Sequence, residues 1–274
     1  MLASNPNLAP ILLVAAVLAA AVLIIGGLKR QKVARRRALL AQRFDQATRD
    51  AITKDFQLYH RLPSTLRDEL DGLIHLFIAE KEFIACGALE EVTPHMQRVI
   101  AAQACLLLLR TPHAYYGKLR SILVYPDAYH APGVDGAVDV RLGDSWSSGS
   151  VVLSWSSVVG GGRNDEDGQA VVIHEFAHQL DQADGAGDGV PYLESRGAYQ
   201  AWAGAFQPAF ERFSNIASHG KARVIDPYGA ENPAEFFAVA TETFYEKPKQ
   251  LQKKFPNVYA QLKQYYGVDP VEWD

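Results

Sequence analysis

The chain has 274 residues, a formal net charge of −4 and two cysteines. The acidic balance argues against a nucleic-acid-binding surface, so no direct nucleic-acid partner is expected. Cys86 and Cys105 stand alone in apolar helical contexts and no Cys-x-x-Cys pair occurs, which argues against a thiolate metal site and fits reduced core residues of a cytoplasmic domain.

The first element is Leu8–Leu28, 21 residues without a charge. About 20 apolar residues cross the hydrocarbon core of a bilayer as a helix, so residues 1–28 are expected to form an N-terminal transmembrane anchor. Pro10 falls in its first turn, where it does little harm. Six cations follow within the nine residues Lys29–Arg37. A cleaved signal peptide has the opposite charge asymmetry and a shorter apolar stretch. The positive-inside rule then predicts a single-pass protein of the inner (cytoplasmic) membrane, with everything after residue 28 in the cytoplasm and the cationic run against anionic headgroups. Residues 29–60 read as a basic juxtamembrane linker, with a polar helical stretch from Ala38 to Tyr59. Residues 61–274 are long enough for one domain with its own core.

Within that domain, Leu62-Pro63-Ser64 opens a helix to about Glu82, with Leu66, Leu70, Leu73, Ile74, Phe77 and Ile78 at helical spacing. Thr93-Pro94 starts another, ending near Arg110. Strands are predicted at Leu119–Tyr125, Gly133–Arg141 and Ser150–Trp155, the last a candidate edge for pairing with an extended substrate or else an ordinary core strand. Gly160-Gly161-Gly162 is expected to break the chain. Helices follow at Ala170–Leu180, Gly197–Ile216, Asn232–Tyr245 and Phe255–Tyr266. Strands in one block followed by helices predict an α+β fold, a small mixed sheet packed on helices.

The chemistry is concentrated in His174-Glu175-Phe176-Ala177-His178. Residues four apart on a helix lie one above the other, so both imidazoles can converge on one metal ion. Glu175 projects beside the metal, placed as general base toward a water activated there. The competing reading is a helix whose histidines have ordinary backbone or carboxylate partners. A catalytic zinc site takes three protein ligands and keeps one position open. The continuation His-x-x-Gly-x-x-His is excluded, because Asp181 and Asp184 occupy its Gly and His positions.

A carboxylate must then complete the site, and Asp184, Asp188, Glu194, Glu231, Glu235 and Glu242 lie downstream. The first two fall in a Gly-rich loop too mobile by composition to hold a ligand well. Glu235 and Glu242 share one face of a helix opened by Asn232 and Pro233. Asn232-x-x-Glu235 also has the form of a capping box, so spacing alone leaves Glu235 even between ligand and cap; its place in an apolar helix beside two histidines favours ligand. Glu242 and Asp181 are candidates for orienting a ligand histidine, or plain helix carboxylates.

The segments His174–Gly185 and Asn232–Glu242, with Ile100–Leu109 and Gly149–Trp155, resemble the Mlc titration factor A family of zinc peptidases. The resemblance runs from about Leu62 to the C-terminus. The site pattern is also similar to the catalytic domain of anthrax lethal factor, in which, as in that family, a Tyr precedes the ligand Glu by seven residues; here that residue is Tyr228. The resemblance implies a zincin-like metallopeptidase domain, one zinc ion held by His174, His178 and Glu235, Glu175 as base and Tyr228 as donor to the tetrahedral intermediate. It also implies aminopeptidase-type hydrolysis of peptide or protein substrates. The family is named for sequestering a transcriptional repressor, so a regulatory binding protein acting at the membrane is the alternative. The N-terminal hydrophobic segment departs from the soluble members of that family.

Overall fold

The computed structural model of the chain describes residues 8–111, 115–127, 129–132, 138–141, 143–146 and 149–273. Helix α1 (Leu8–Leu40) carries the apolar segment and the cationic run in one continuous element. Its last turns dock on α4 (Ser64–Glu80), where the Arg36 guanidinium grips both oxygens of Glu80 at 2.7 Å. Gly72 of α4 lies so near Leu40 that a Cβ there would sit 2.8 Å from the Leu40 carbonyl carbon. Leu18, Val22, Leu23, Ile24, Ile25 and Leu28 remain exposed. Among the described residues no helix is long and apolar enough to cross a membrane. The expected span Leu8–Leu28 includes residues 8–12 and 14–17, whose side chains lie outside those described.

The domain begins earlier than residue 61. Helix α2 (Gln46–Asp55) is capped by Asp45, whose carboxylate accepts the Thr48 N–H, and the short α3 (Leu58–Arg61) follows. Ile52, Phe56, Leu58 and Tyr59 are buried in the main core. The polar composition of this stretch conceals its role because part of it faces a buried charge. Asp71 of α4 is fully buried and receives the Arg49 guanidinium at 2.6 Å, the Tyr59 hydroxyl and the Phe44 N–H at 3.1 Å. A carboxylate so enclosed is tolerable only when its oxygens are paired, and residues 44–59 supply the partners.

After α4 the chain alternates. Strand β1 (Glu82–Ala85) precedes α5 (Pro94–Leu106), capped by Thr93 with Pro94 in the first turn, and β2 (Ser121–Tyr125) follows. Then come β3 (Tyr129–Pro132), β4 (Val138–Arg141), β5 (Gly143–Trp146) and β6 (Ser150–Ser154). The sheet order is β1-β2-β6-β5, with the first three parallel and β5 antiparallel to β6; β3 and β4 pair separately. The expected small mixed sheet on a helical body is therefore borne out. Residues 133–137 of the predicted strand Gly133–Arg141 lie outside those described; Val138–Arg141 forms β4. Ser150–Ser154 is paired on both sides, by β2 and β5, so it is no open edge for a substrate strand.

Helix α6 (Trp155–Arg163) contains all three glycines that were expected to break the chain. At two of them the missing side chain serves close packing instead: a Cβ on Gly162 would sit 3.2 Å from the Asp55 carbonyl carbon, and one on Gly161 would sit 2.6 Å from the Gln169 carbonyl oxygen. The remaining helices are α7 (Val171–Asp181), α8 (Arg196–Ser218), α9 (Pro233–Glu246), α10 (Pro248–Lys254) and α11 (Pro256–Tyr266), with a 3-10 turn at Pro227–Ala230. An aromatic cluster including Trp202 and Phe206 of α8 and Phe236 and Phe237 of α9 fixes these two helices together. Cys105 is buried and Cys86 half-buried, and both are free thiols.

Candidate metal centre

The site is made where α7 meets α9. Helix α7 turns Val172, Ile173, Phe176, Ala177 and Leu180 into the core. His174 and His178 share its opposite stripe, bordering a cleft of about 1240 Å³. Helix α9 begins as its sequence requires. The Asn232 side chain accepts the Glu235 N–H at 3.0 Å, and Pro233 occupies the first turn. The Glu235 carboxylate itself turns toward the histidines and not back to the cap.

Three atoms converge there. His174 Nε2 and His178 Nε2 lie 3.2 Å apart, and Glu235 Oε2 lies 3.0 Å from the first and 3.3 Å from the second. Among the described residues this is the one His/Cys/Asp/Glu group able to hold a metal ion. Two ligand atoms each about 2.0 Å from a tetrahedral ion stand about 3.3 Å apart, so the three separations fit one such ion. The electrostatics agree. Burial opposes charge on His174, but its bonds to Glu235 and Glu242 outweigh it and hold the imidazole well above its ordinary pKa. Burial likewise opposes charge on Glu235, yet the two imidazoles hold its carboxyl down at about 2. The two shifts are two sides of one pairing: the carboxylates favour the cation on His174, and the imidazoles favour the anion on Glu235.

Behind the ligand positions stands a row of carboxylates on α9. Glu242, seven residues after Glu235, places Oε1 2.8 Å from His174 Nδ1 and accepts the Ala170 N–H on Oε2 at 2.6 Å. One turn on, Glu246 Oε2 accepts the N–H groups of Gly168 at 2.7 Å and Gln169 at 3.1 Å. Helix α7 has no side-chain cap of its own at Ala170, and these two carboxylates of α9 satisfy three consecutive N–H groups at its start. Burial pushes the Glu246 carboxyl up to about 9, helped by Glu242 and Asp167 nearby.

Glu175 is buried beside His174 and lines the cleft. Tyr228, in the 3-10 turn, is 47% exposed, with its ring centroid 5.8 Å from that of His174. Asp181 does something else: both its oxygens accept the Gly189 N–H, at 2.9 and 3.0 Å. Of the other carboxylates considered for the site, Asp188 and Glu231 line the cleft outside the three-atom group. Glu246 was missed by sequence reasoning, although its position four residues after Glu242 placed it on the same stripe. The Asp181–Gly189 bond left no sequence signal, since both ends depend on how a Gly-rich loop folds back.

A histidine pair and a carboxylate at ligand spacing, in an open cleft, with a further carboxylate beside them, define a metallopeptidase-type centre. The sequence comparisons agree: the description glucose-regulated metallo-peptidase M90 matches residues 30–267, and the chain belongs to that family. An uncharacterised protein of Synechocystis sp. is 41% identical over 222 residues, 78% of this chain and 80% of the relative. Mlc titration factor A of Edwardsiella ictaluri is 35% identical, covering 75% of this chain and 82% of the relative. Its counterpart in Klebsiella pneumoniae is 30% identical over 77% and 82%. The resemblance seen in the sequence is thus borne out, and the family match starts after the apolar segment.

Proposed function

We propose that this chain is a zinc-dependent peptidase with a zincin-like domain, in which His174, His178 and Glu235 hold the metal. The observation that carries this reading is the set of three ligand-atom separations between 3.0 and 3.3 Å. Bound there, zinc supplies Lewis acidity toward a carbonyl oxygen and acidifies a water. Glu175 takes the proton of the attacking water on its carboxylate and returns it to the leaving amine. The Tyr228 hydroxyl donates a hydrogen bond to the developing oxyanion. Glu242 holds His174 with its proton on Nδ1, leaving the Nε2 lone pair for the metal.

Aminopeptidase-type cleavage is the finer reading. The cleft walls carry Asp167, Asp188, Asp226 and Glu231, and among the described residues no Lys or Arg lines it, which suits a substrate's free α-amino group. For membrane attachment through Leu8–Leu28, with the domain in the cytoplasm, the support is the exposed apolar helix from Leu18 to Leu28 followed by the cationic run. The relatives' name, titration factor, supports a second reading in which the protein sequesters a transcriptional repressor at the membrane. Metal analysis of the full chain with a peptide-library cleavage assay tests the enzyme. The Glu175→Gln protein separates the readings, since a binding role survives that change and a catalytic one does not.

A further inference from the structure

Helices α7 and α9 carry all three proposed ligands, and they are tied together at both ends. At the start of α7 the tie is the pair Glu242 and Glu246. At its end the chain turns through 182–190 and comes back against the first residues of α9. Gly189 is the point of contact. A Cβ placed on it would sit 2.6 Å from the Pro233 carbonyl carbon and closer still to that oxygen, so backbone touches backbone. Its N–H is held by both oxygens of the fully buried Asp181, and its carbonyl accepts the Trp202 indole N–H at 3.2 Å. Pro233 stands two residues before Glu235.

We propose that Gly189 and Asp181 are positioning residues for the metal centre: the contact Asp181–Gly189–Pro233 sets the distance between the histidine helix and Glu235. This rests on the reading of His174, His178 and Glu235 as ligands. The chain path explains why position 189 must be glycine. It leaves α7 one turn after His178 and must reach the start of α9 without a side chain in between. Any residue larger than glycine wedges the start of α9 outward and draws Glu235 away from the imidazoles. The tie at Glu242 and Glu246 leaves His174 and His178 in place.

The test is zinc affinity of the full-length chain by chelator competition, with the visible spectrum of the cobalt-substituted protein as a report on the ligand set. Gly189→Ala should weaken zinc by roughly 10- to 100-fold and alter the cobalt bands, the scale seen when a ligand's support is removed. Gly185→Ala is the control for loop strain. Gly185 also has a positive φ, +106°, but a Cβ there meets nothing within 4 Å, and its affinity should stay within about threefold of the parent on the same scale. Asp181→Asn covers the case in which Gly189→Ala fails to fold; it should weaken zinc in the same direction while the far-ultraviolet dichroism is unchanged. Native zinc affinity in either folded variant, or an equal loss in Gly185→Ala, overturns the proposal. Zinc retained undiminished by His178→Ala overturns the ligand reading and this proposal with it. Zinc lost by His178→Ala but held normally by Gly189→Ala overturns this proposal alone.

Discussion

Glu242 divides its carboxylate between two duties, Oε1 against His174 Nδ1 at 2.8 Å and Oε2 beneath the Ala170 N–H at 2.6 Å. Both partners of this group donate, so only an acceptor on each oxygen satisfies them. Gln at this position offers one acceptor and one amide NH₂, and the NH₂ must face either the imidazole N–H or the backbone N–H. Glu242→Gln is therefore expected to behave more like a deletion than a conservative change. Zinc affinity should fall roughly 10- to 100-fold. Chelator competition on the parent and on Glu242→Gln checks this, and parental affinity would remove Glu242 from the support of His174.

Glu246 sets a pH dependence of opposite kind to most carboxylates. Its folded pKa, about 9, lies above the ordinary value of 4.5. The folded chain thus keeps a proton that the unfolded chain releases. The associated stability is fully present below about pH 4.5 and declines as pH rises toward about 9. Glu246→Gln keeps an oxygen for the Gly168 and Gln169 N–H groups and has no charge to bury. With a chelator present in both samples, the variant's melting temperature should fall less than the parent's between pH 5 and 9. Parallel curves would show that Glu246 is ionised in the folded chain.

How much of this was legible beforehand follows from range. The His174–His178 pair, the start of α9 at Asn232-Pro233 and the positions of Glu235 and Glu242 are local patterns, each written within a few turns of one helix. The sheet was legible as strands but not as an order, because nothing local to Ser150–Ser154 tells whether β5 covers its second side. Residues 44–59 looked like a linker because Arg49 and Tyr59 are polar. Their partner, Asp71, lies in another helix. The three glycines of α6 looked like a break because the close neighbours of Gly161 and Gly162, Gln169 and Asp55, are invisible to a local reading. The loop 184–189 looked too mobile by composition, yet Asp181 and Trp202 hold its far end at Gly189. Composition describes what a segment can do alone, and these segments are fixed from elsewhere.

Topology is the next expected outcome. With six cations in Lys29–Arg37 directly after the apolar segment, the C-terminal domain should stay on the cytoplasmic side. A fluorescent protein fused after Asp274 should be bright and membrane-associated, and deletion of residues 1–28 should release it to the soluble fraction. An active periplasmic alkaline phosphatase at the same position would reverse the orientation, and a soluble full-length fusion would refute the anchor.

The sharpest separation is among Glu235, Glu175 and Tyr228, because a ligand, a base and an oxyanion donor fail differently. Glu235→Ala removes one of three protein contacts to the metal, so zinc and activity should fall together. Glu175→Gln should keep zinc and lose most turnover, since a neutral amide cannot take the proton of the attacking water. Tyr228→Phe should keep zinc and lose roughly 10- to 1,000-fold in kcat, the range for one donor to an oxyanion. The exposure of Tyr228 makes this variant the least disruptive to the fold, so its melting temperature should match the parent's. The Asn232 cap gives the control for Glu235: Asn232→Ala should cost about 1 kcal/mol of stability through the lost bond to the Glu235 N–H, with zinc still bound. Zinc content, melting temperature and kcat measured on the same four preparations decide the assignment. Normal zinc in Glu235→Ala would move the third ligand elsewhere on α9.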